Sequence, residues 1–274
     1  MLTQTIKNDV RKSLEEDIGS GDLTANLLPP DDVARAQVIT RQSGVLCGTE
    51  WFDECFHMLD ANCKITWHAK DGERIVPGQR LCGIEGKARA LLTAERNALN
   101  FLQTLSGTAT ATRRYVDAIA GTRAKIMDTR KTLPGLRDAQ KYAVRTGGGH
   151  NQRMGLYDGI LIKENHIVAA GGIAAVLEAA FRLAPQASVQ IEVEDLMQLD
   201  EALKSGAKLI LLDNFDIDML AAAVKHTAGR AELEASGGIT LSGIREVAET
   251  GVDRISIGAL TKDVEALDLS MRII

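Results

Sequence analysis

From Thr122 onward this chain sets down six short apolar runs, AKIMDT, GILIK, VQIEVE, KLILLDN, AELEAS and RISIGA, each closing on polar residues or glycine. Helical patterns separate them, at Gly135–Thr146, Ile173–Leu183, Leu196–Ser205, Ile217–Ala228 and Leu241–Thr250. Strands divided by helices cannot pair as hairpins, so they imply a parallel sheet covered by helices. Six such units predict an incomplete α/β barrel, six- to seven-stranded, of the TIM type. The rival is a doubly wound open sheet, and no G-x-G-x-x-G follows the first strand to favour it. Gly147-Gly148-Gly149 is a bare glycine run and decides nothing alone.

The first hundred residues have another rhythm. A helix is predicted over Leu2–Glu16, then the turn-rich DIGSGDLT from Asp17 to Thr24. Short strands are predicted at Ala34–Thr40, Lys64–His68 and Arg80–Glu85, broken by Gly44, Gly48, Gly72 and Pro77-Gly78. A long helical pattern covers Ala88 to Ile119, with Gly107 read as a break or a boundary between two helices. This half reads as α+β, helices packed on a small sheet.

The 274 residues suffice for one large domain or two modest ones, and 45% hydrophobic with 25% charged residues is ordinary for a soluble globular protein. No apolar stretch approaches a membrane span, and the charged N-terminus lacks the apolar core of a signal peptide. Cys47, Cys55, Cys63 and Cys82 form no C-x-x-C pair and read as reduced thiols, so a cytoplasmic location is expected. A net charge of -5 without an extended basic stripe argues against nucleic acid.

Against that acidic background, Asp128 to Ile167 gathers Arg130, Lys131, Arg137, Lys141, Arg145, Arg153 and Lys163. Local cations on an acidic chain focus a field for a small anion. Several stand where a strand run stops, and in a parallel barrel the chemistry sits at the carboxyl ends of the strands. Those ends read Asp128-Thr129-Arg130-Lys131, Lys163-Glu164-Asn165-His166, Glu192 with Glu194, Asp213-Asn214, Ser236-Gly237-Gly238, and Gly258. A polar strand end by itself means only that a loop meets water. Six ends rich in opposite charges and glycines suggest a catalytic rim. The last two offer small residues whose backbone N–H groups can approach a phosphate ahead of helix N-termini. His57, His68 and His226 are isolated, His150 and His166 make no zinc spacing, and Trp51 and Trp67 read as packing residues.

DTRKTLPGLR, KYAVRTGGG, LIKENHI, IEVE, LLDN, EASGGI and ISIGALT, in this order, resemble the quinolinate phosphoribosyltransferase family. The likeness extends to DIGSGDLT and LLTAERNALNFLQTLSG in the first half. It implies an N-terminal α/β sandwich over residues 1–107, joined by a returning segment 264–274, and a barrel over 108–263. It also implies a homodimer with shared active sites. The implied reaction joins quinolinate and phosphoribosyl pyrophosphate to give nicotinate mononucleotide, pyrophosphate and CO2. By the same resemblance Arg130, Arg153 and Gln152 take the dicarboxylate, with Arg96 supplied by the neighbouring subunit. Lys131 and Lys163 contact the substrates, and Glu192 and Asp213 face the ribose directly or through Mg2+. Ser236, Gly237, Gly238 and Gly258 take phosphate. The residue chemistry agrees, since guanidinium forks match adjacent carboxylates better than point charges do.

Two positions depart from the family pattern. Asn151-Gln152-Arg153 stands where N-H-R is common, so a histidine expected to touch substrate is glutamine, with His150 beside it as a substitute donor. Lys262 replaces a histidine of some relatives and keeps a cation. Two other readings use the same barrel: a molybdenum-transport-associated paralogue, and a Schiff-base lyase with Lys163 as nucleophile. The four basic residues Arg96, Arg130, Lys131 and Arg153 favour the dicarboxylate reading over both. A non-catalytic anion-binding scaffold would release no pyrophosphate.

Overall fold

The computed structural model describes residues 2–274, which form two compact units. The first holds the residues up to Arg113 together with Thr132–Gly148 and Leu260–Ile274; the second holds Arg114–Lys131 and Gly149–Ala259. In chain order the elements begin with α1 (Leu2–Ile18), β1 (Val33–Thr40), β2 (Gly44–Val45), α2 (Thr49–His57), β3 (Lys64–Trp67), β4 (Arg74–Ile75), β5 (Arg80–Lys87) and α3 (Ala88–Ala118). There follow β6 (Lys125–Met127), α4 (Arg137–Thr146), β7 (Gly159–Ile162), α5 (Glu164–Ala170), α6 (Ile173–Leu183) and β8 (Ser188–Val193). The chain ends with α7 (Leu196–Lys204), β9 (Leu209–Asp213), α8 (Ile217–Thr227), β10 (Glu232–Ser236), α9 (Ile244–Glu249), β11 (Arg254–Ser256), α10 (Ala259–Lys262) and β12 (Leu269–Ile273).

The first unit is built on an antiparallel sheet in the order β12-β1-β5-β3. In β1 every second residue from Ala36 is buried, so one face of the sheet turns to a core. Helix α1 brings Ile6, Val10 and Leu14, a stripe at a spacing of four, to the same core. Trp51, Phe52 and Phe56 of α2 fill its centre. The C-terminal segment belongs here too, with β12 pairing β1 from Ala36↔Ile273 to Thr40↔Leu269. The DIGSGDLT motif is a clamp: Asp22 accepts the backbone N–H groups of Thr24 and Ala25 and the hydroxyl of Thr93 on α3.

Two expectations are corrected in this unit. Gly107 does not break the long helix, because α3 runs continuously from Ala88 to Ala118. Its role is close approach: a Cβ at Gly107 would lie 2.2 Å from the backbone oxygen of Glu265, so the C-terminal segment can pass only over glycine. The second correction concerns the helix predicted at Gly135–Thr146, read as a barrel helix. As α4 it lies in the first unit, where Ala139 and Ala143 join the core. Tyr142 of α4 meets Trp51 in a tilted ring contact at 5.4 Å and donates to Asp71 at 2.8 Å, while Gln140 donates to the Thr261 carbonyl at 2.8 Å.

The second unit is the parallel sheet that the six apolar runs predict, in the order β6-β11-β10-β9-β8-β7. The order is sequential from β7 to β11, and β6 then joins β11 rather than β7. A doubly wound sheet would instead step outward both ways from a central first strand. The sheet stays incomplete between β6 and β7, where the only parallel bridge is Met127↔His150 among the described residues. Helices α2 and α5 were not anticipated; α5 starts one residue beyond the end of β7, with Lys163 as its N-cap. Among the described residues no single helix is long and apolar enough to cross a membrane.

Candidate active site

Strand periodicity decides which side chains meet. On β8 the residues Gln190 and Glu192 share a face, on β10 Glu232, Glu234 and Ser236, and on β11 Arg254 and Ser256. Sheet register aligns these rows: Glu192 pairs with Leu211, Glu234 with Leu211 and Arg254, and Ser236 with Asp213. One residue past the Ile162↔Ile191 pair, the same register sets Lys163 beside Glu192. The ion pair follows, Lys163 Nζ to Glu192 Oε2 at 2.8 Å, with the carboxylate side chain only 15% exposed.

Asp213, at the next strand end, completes a charged cluster. Burial, and then the nearby Glu192 carboxylate, hold its carboxyl above the ordinary range; Lys163, Lys131 and the Asn214 amide oppose that rise. Asn214 donates to Asp213 Oδ2 at 2.8 Å from a left-handed backbone conformation, φ 57°. The next loop is shaped around that asparagine. Gly237 has φ 109°, and a Cβ there would sit 2.2 Å from Asn214 Oδ1. Lys131 lies across Gly258, its Cδ 3.0 Å from where a Cβ would stand.

The two arginines expected to take a dicarboxylate come together. Arg153 is held below the ordinary arginine range by burial first and by the Arg130 guanidinium second, with Asp158 opposing. Neighbouring like charges of this kind focus a positive field that favours an anion. Arg153 is fixed through Nη1 to the Gly159 carbonyl at 2.9 Å.

Arg130, Lys131, Gln152, Arg153, Lys163, Glu192, Asp213, Ser236, Gly237, Gly238 and Gly258 thus all belong to the second unit. Arg96 does not; it is exposed on α3, in the first. One detail of the phosphate loops differs from expectation. Helix α9 starts at Ile244, six residues after Gly238, so Ser236–Gly238 offers the N–H groups of a loop and not those of a helix end. Gly258 directly precedes the single turn of α10. Glu194 is exposed beyond β8, where its backbone N–H meets Gln198. A cleft of about 220 Å3 adjoins the rim, lined by Glu164, Ile167, Val168, Glu192, Glu194 and Gln198. A larger one of about 290 Å3 lies at the amino ends of the strands, between Arg123, Arg230 and Asp253. Its arginines are already bonded to the carbonyls of Gly251, Thr227 and His226, so the rim is the better site.

Residues 22–106 match the family described as quinolinate phosphoribosyl transferase, N-terminal domain, and residues 108–272 match its C-terminal domain. The chain belongs to this family. It is 43% identical to a probable nicotinate-nucleotide pyrophosphorylase [carboxylating] of Bacillus subtilis, over 93% of this chain and 89% of that one. It is 42% identical to the nicotinate-nucleotide pyrophosphorylase [carboxylating] of Mycobacterium leprae, over 97% and 96%. The solved nicotinate-nucleotide pyrophosphorylase of Francisella tularensis superposes with a TM-score of 0.97 at 45% identity, covering 99% of this chain and 97% of that one.

The structure also locates the histidines in this quinolinate phosphoribosyltransferase barrel. The His150 imidazole is pushed below the ordinary range by burial and then by Lys125 and Arg254, which open β6 and β11 at the ends of the strands away from the rim. His166 Nδ1 accepts the Lys163 backbone N–H at 3.0 Å, so it caps α5 and sets the lysine's backbone. Trp51 and Trp67 donate to Asp9 and Asp53 inside the first unit, as packing residues do. The four cysteines are free and buried. Sequence reasoning missed Gln190 and Glu234, although alternation along AELEAS would have set Glu234 on the same face as Ser236.

Proposed function

We propose that this protein transfers the phosphoribosyl group of phosphoribosyl pyrophosphate to quinolinate, with loss of CO2, giving nicotinate mononucleotide and pyrophosphate. The observation that carries the reading is the Arg130–Arg153 pair, two guanidinium groups held near each other at the same rim as a Lys163–Glu192–Asp213 cluster. Two adjacent carboxylates are the anion such a pair suits.

The ring nitrogen of quinolinate attacks the anomeric carbon as its bond to pyrophosphate breaks, and positive charge develops on the ribose. Glu192 and Asp213 face that charge, and their mutual repulsion in the free enzyme is relieved as it forms. Lys163 keeps Glu192 in place, and Lys131, lying over Gly258, offers a cation to departing phosphate oxygens. Loop N–H groups at Ser236–Gly238 take the 5′-phosphate. Loss of the 2-carboxylate leaves its electron pair next to the ring nitrogen, where the cationic ring stabilises it until a proton arrives.

Among the described residues no three His, Cys, Asp or Glu side chains are grouped to hold a metal alone. Glu192 and Asp213 nevertheless suit Mg2+, which commonly takes one or two carboxylates and completes its shell with water and substrate phosphates. When bound, it neutralises charge on the pyrophosphate. The Schiff-base reading is disfavoured because Lys163 Nζ is committed to Glu192. A molybdenum-transport-associated role gives the arginine pair no two adjacent carboxylates to match. A cytoplasmic location goes with the four free cysteines.

The protein works as a homodimer in which Arg96 reaches the neighbouring subunit's barrel. Arg96→Ala and Arg130→Ala should each be nearly inactive. Mixed under subunit exchange, with half the dimers hybrid, they should recover towards about a quarter of wild-type activity; no recovery despite proven exchange removes the shared site. The function itself is tested by incubating the protein with quinolinate, phosphoribosyl pyrophosphate and Mg2+. Equimolar CO2 and nicotinate mononucleotide are expected, and pyrophosphate release without CO2 would refute the reading.

A further inference from the structure

Glu234 lies fully buried in the middle of β10, on the strand face that ends in Ser236. Burial holds its carboxyl above the ordinary range, and hydrogen-bond donors converge on both of its oxygens. The Gln152 amide nitrogen donates to Oε1, the Gln190 amide nitrogen donates to Oε2 at 3.0 Å, and the Ser256 hydroxyl also reaches it. The second Gln152 amide hydrogen faces Gln190 Oε1 at 3.5 Å. With each of its oxygens met by an amide nitrogen, Glu234 dictates which way both glutamine amides turn. The Gln152 backbone N–H is bonded in turn to Asp128 Oδ1 at 2.8 Å. Gln152 is therefore gripped at the backbone by β6's end and at the side chain by the interior of the sheet.

Sheet stability does not require this carboxylate. The ladder of backbone bonds holds β10, and of the register neighbours of Glu234, Leu211 on β9 is apolar and Arg254 on β11 is already paired with Glu232. What the carboxylate does hold is the residue immediately before Arg153. We propose that Glu234 is a positioning residue of the quinolinate site: with Gln190 it anchors the Gln152 side chain, and so fixes the Asn151–Arg153 segment that carries Arg153 to Arg130. Gln152 then acts as an inward strut whose N–H groups are turned from the substrate. The inference rests on the proposed function for the identity of the substrate.

The test is steady-state kinetics against both substrates, with thermal melts alongside. Wild-type turnover of quinolinate is measured first, and its absence would sink the proposed function, not this inference. In Glu234→Gln an amide faces two amide donors, so one contact is lost. The KM for quinolinate should rise about tenfold, the scale of one hydrogen bond to a charged group, while that for phosphoribosyl pyrophosphate stays within twofold. Gln152→Met, which keeps the bulk but removes the amide, should do the same. The double variant should be no worse than either single one, because both act through one contact. An equal rise in both KM values, a fall in kcat alone, or multiplied effects in the double variant would each overturn the proposal. If Glu234→Gln does not fold, Gln152→Met and Gln190→Met decide the matter by the same quinolinate-selective rise or its absence.

Discussion

The two units of this chain use their interiors in opposite ways. In the first, the core cluster is apolar, from Trp51, Phe52 and Phe56 to Leu102 and Leu105, and buried hydroxyls of α3 tie backbone together. Ser106 and Thr110 of α3, for example, accept the backbone N–H groups of Cys47 and Val45. In the second, apolar residues such as Ile191, Ile210, Leu233 and Ile255 are buried on alternate strand positions, while Gln190, Glu192, Asp213, Glu234 and Ser256 occupy the others. One unit spends its buried volume on stability. The other gives up part of it to keep charges desolvated and poised, a common compromise at active sites.

That contrast makes opposite demands of mutations in the two units. The largest effect is expected at Asp213, where the Asn variant should lose about 10²–10³ in kcat, the scale seen when one electrostatic group is removed from a transition state. Its melting temperature should hold or rise, since a carboxylate crowded by burial and by Glu192 has been neutralised. A melting loss as large as a core truncation would erase the distinction between the units. At Arg130, lysine retains the charge but not the fork. The KM for quinolinate should climb about tenfold, in line with about 1–3 kcal/mol for a charged hydrogen bond. An unchanged KM would show that Arg130 does not hold the dicarboxylate. Gly107→Ala should do the converse. Its Cβ meets the Glu265 carbonyl, so denaturant melts should show about 1–3 kcal/mol of lost stability with both KM values unmoved.

Much of this was legible because period is a strong signal. The six strands fall on the six apolar runs, and α6, α7 and α8 on the predicted helical patterns, since alternation and a spacing of three to four are written directly in side-chain type. Helix α5 was hidden because Glu164–Ala170 follows β7 without any turn residue, the chain's stop signal being supplied by the His166 side chain. Gly107 was misread because glycine marks a break and a close backbone contact alike; only the path of residues 265–266 tells them apart. At the site, the rim charges were visible as strand ends, but the surroundings of His150 and Gln152 were not. Which way a side chain turns there depends on Lys125, Arg254 and Glu234, residues distant in sequence that only the sheet register brings near.

The central claim is that the second unit reads two carboxylates, and substrate discrimination measures it most directly. Wild-type protein should be assayed with quinolinate and with nicotinate, which lacks the second carboxylate, under saturating phosphoribosyl pyrophosphate and Mg2+. A site built around paired guanidinium groups leaves one unsatisfied when that carboxylate is missing. The ratio of kcat/KM should therefore favour quinolinate by at least about a thousandfold. Comparable turnover of the two would contradict the account.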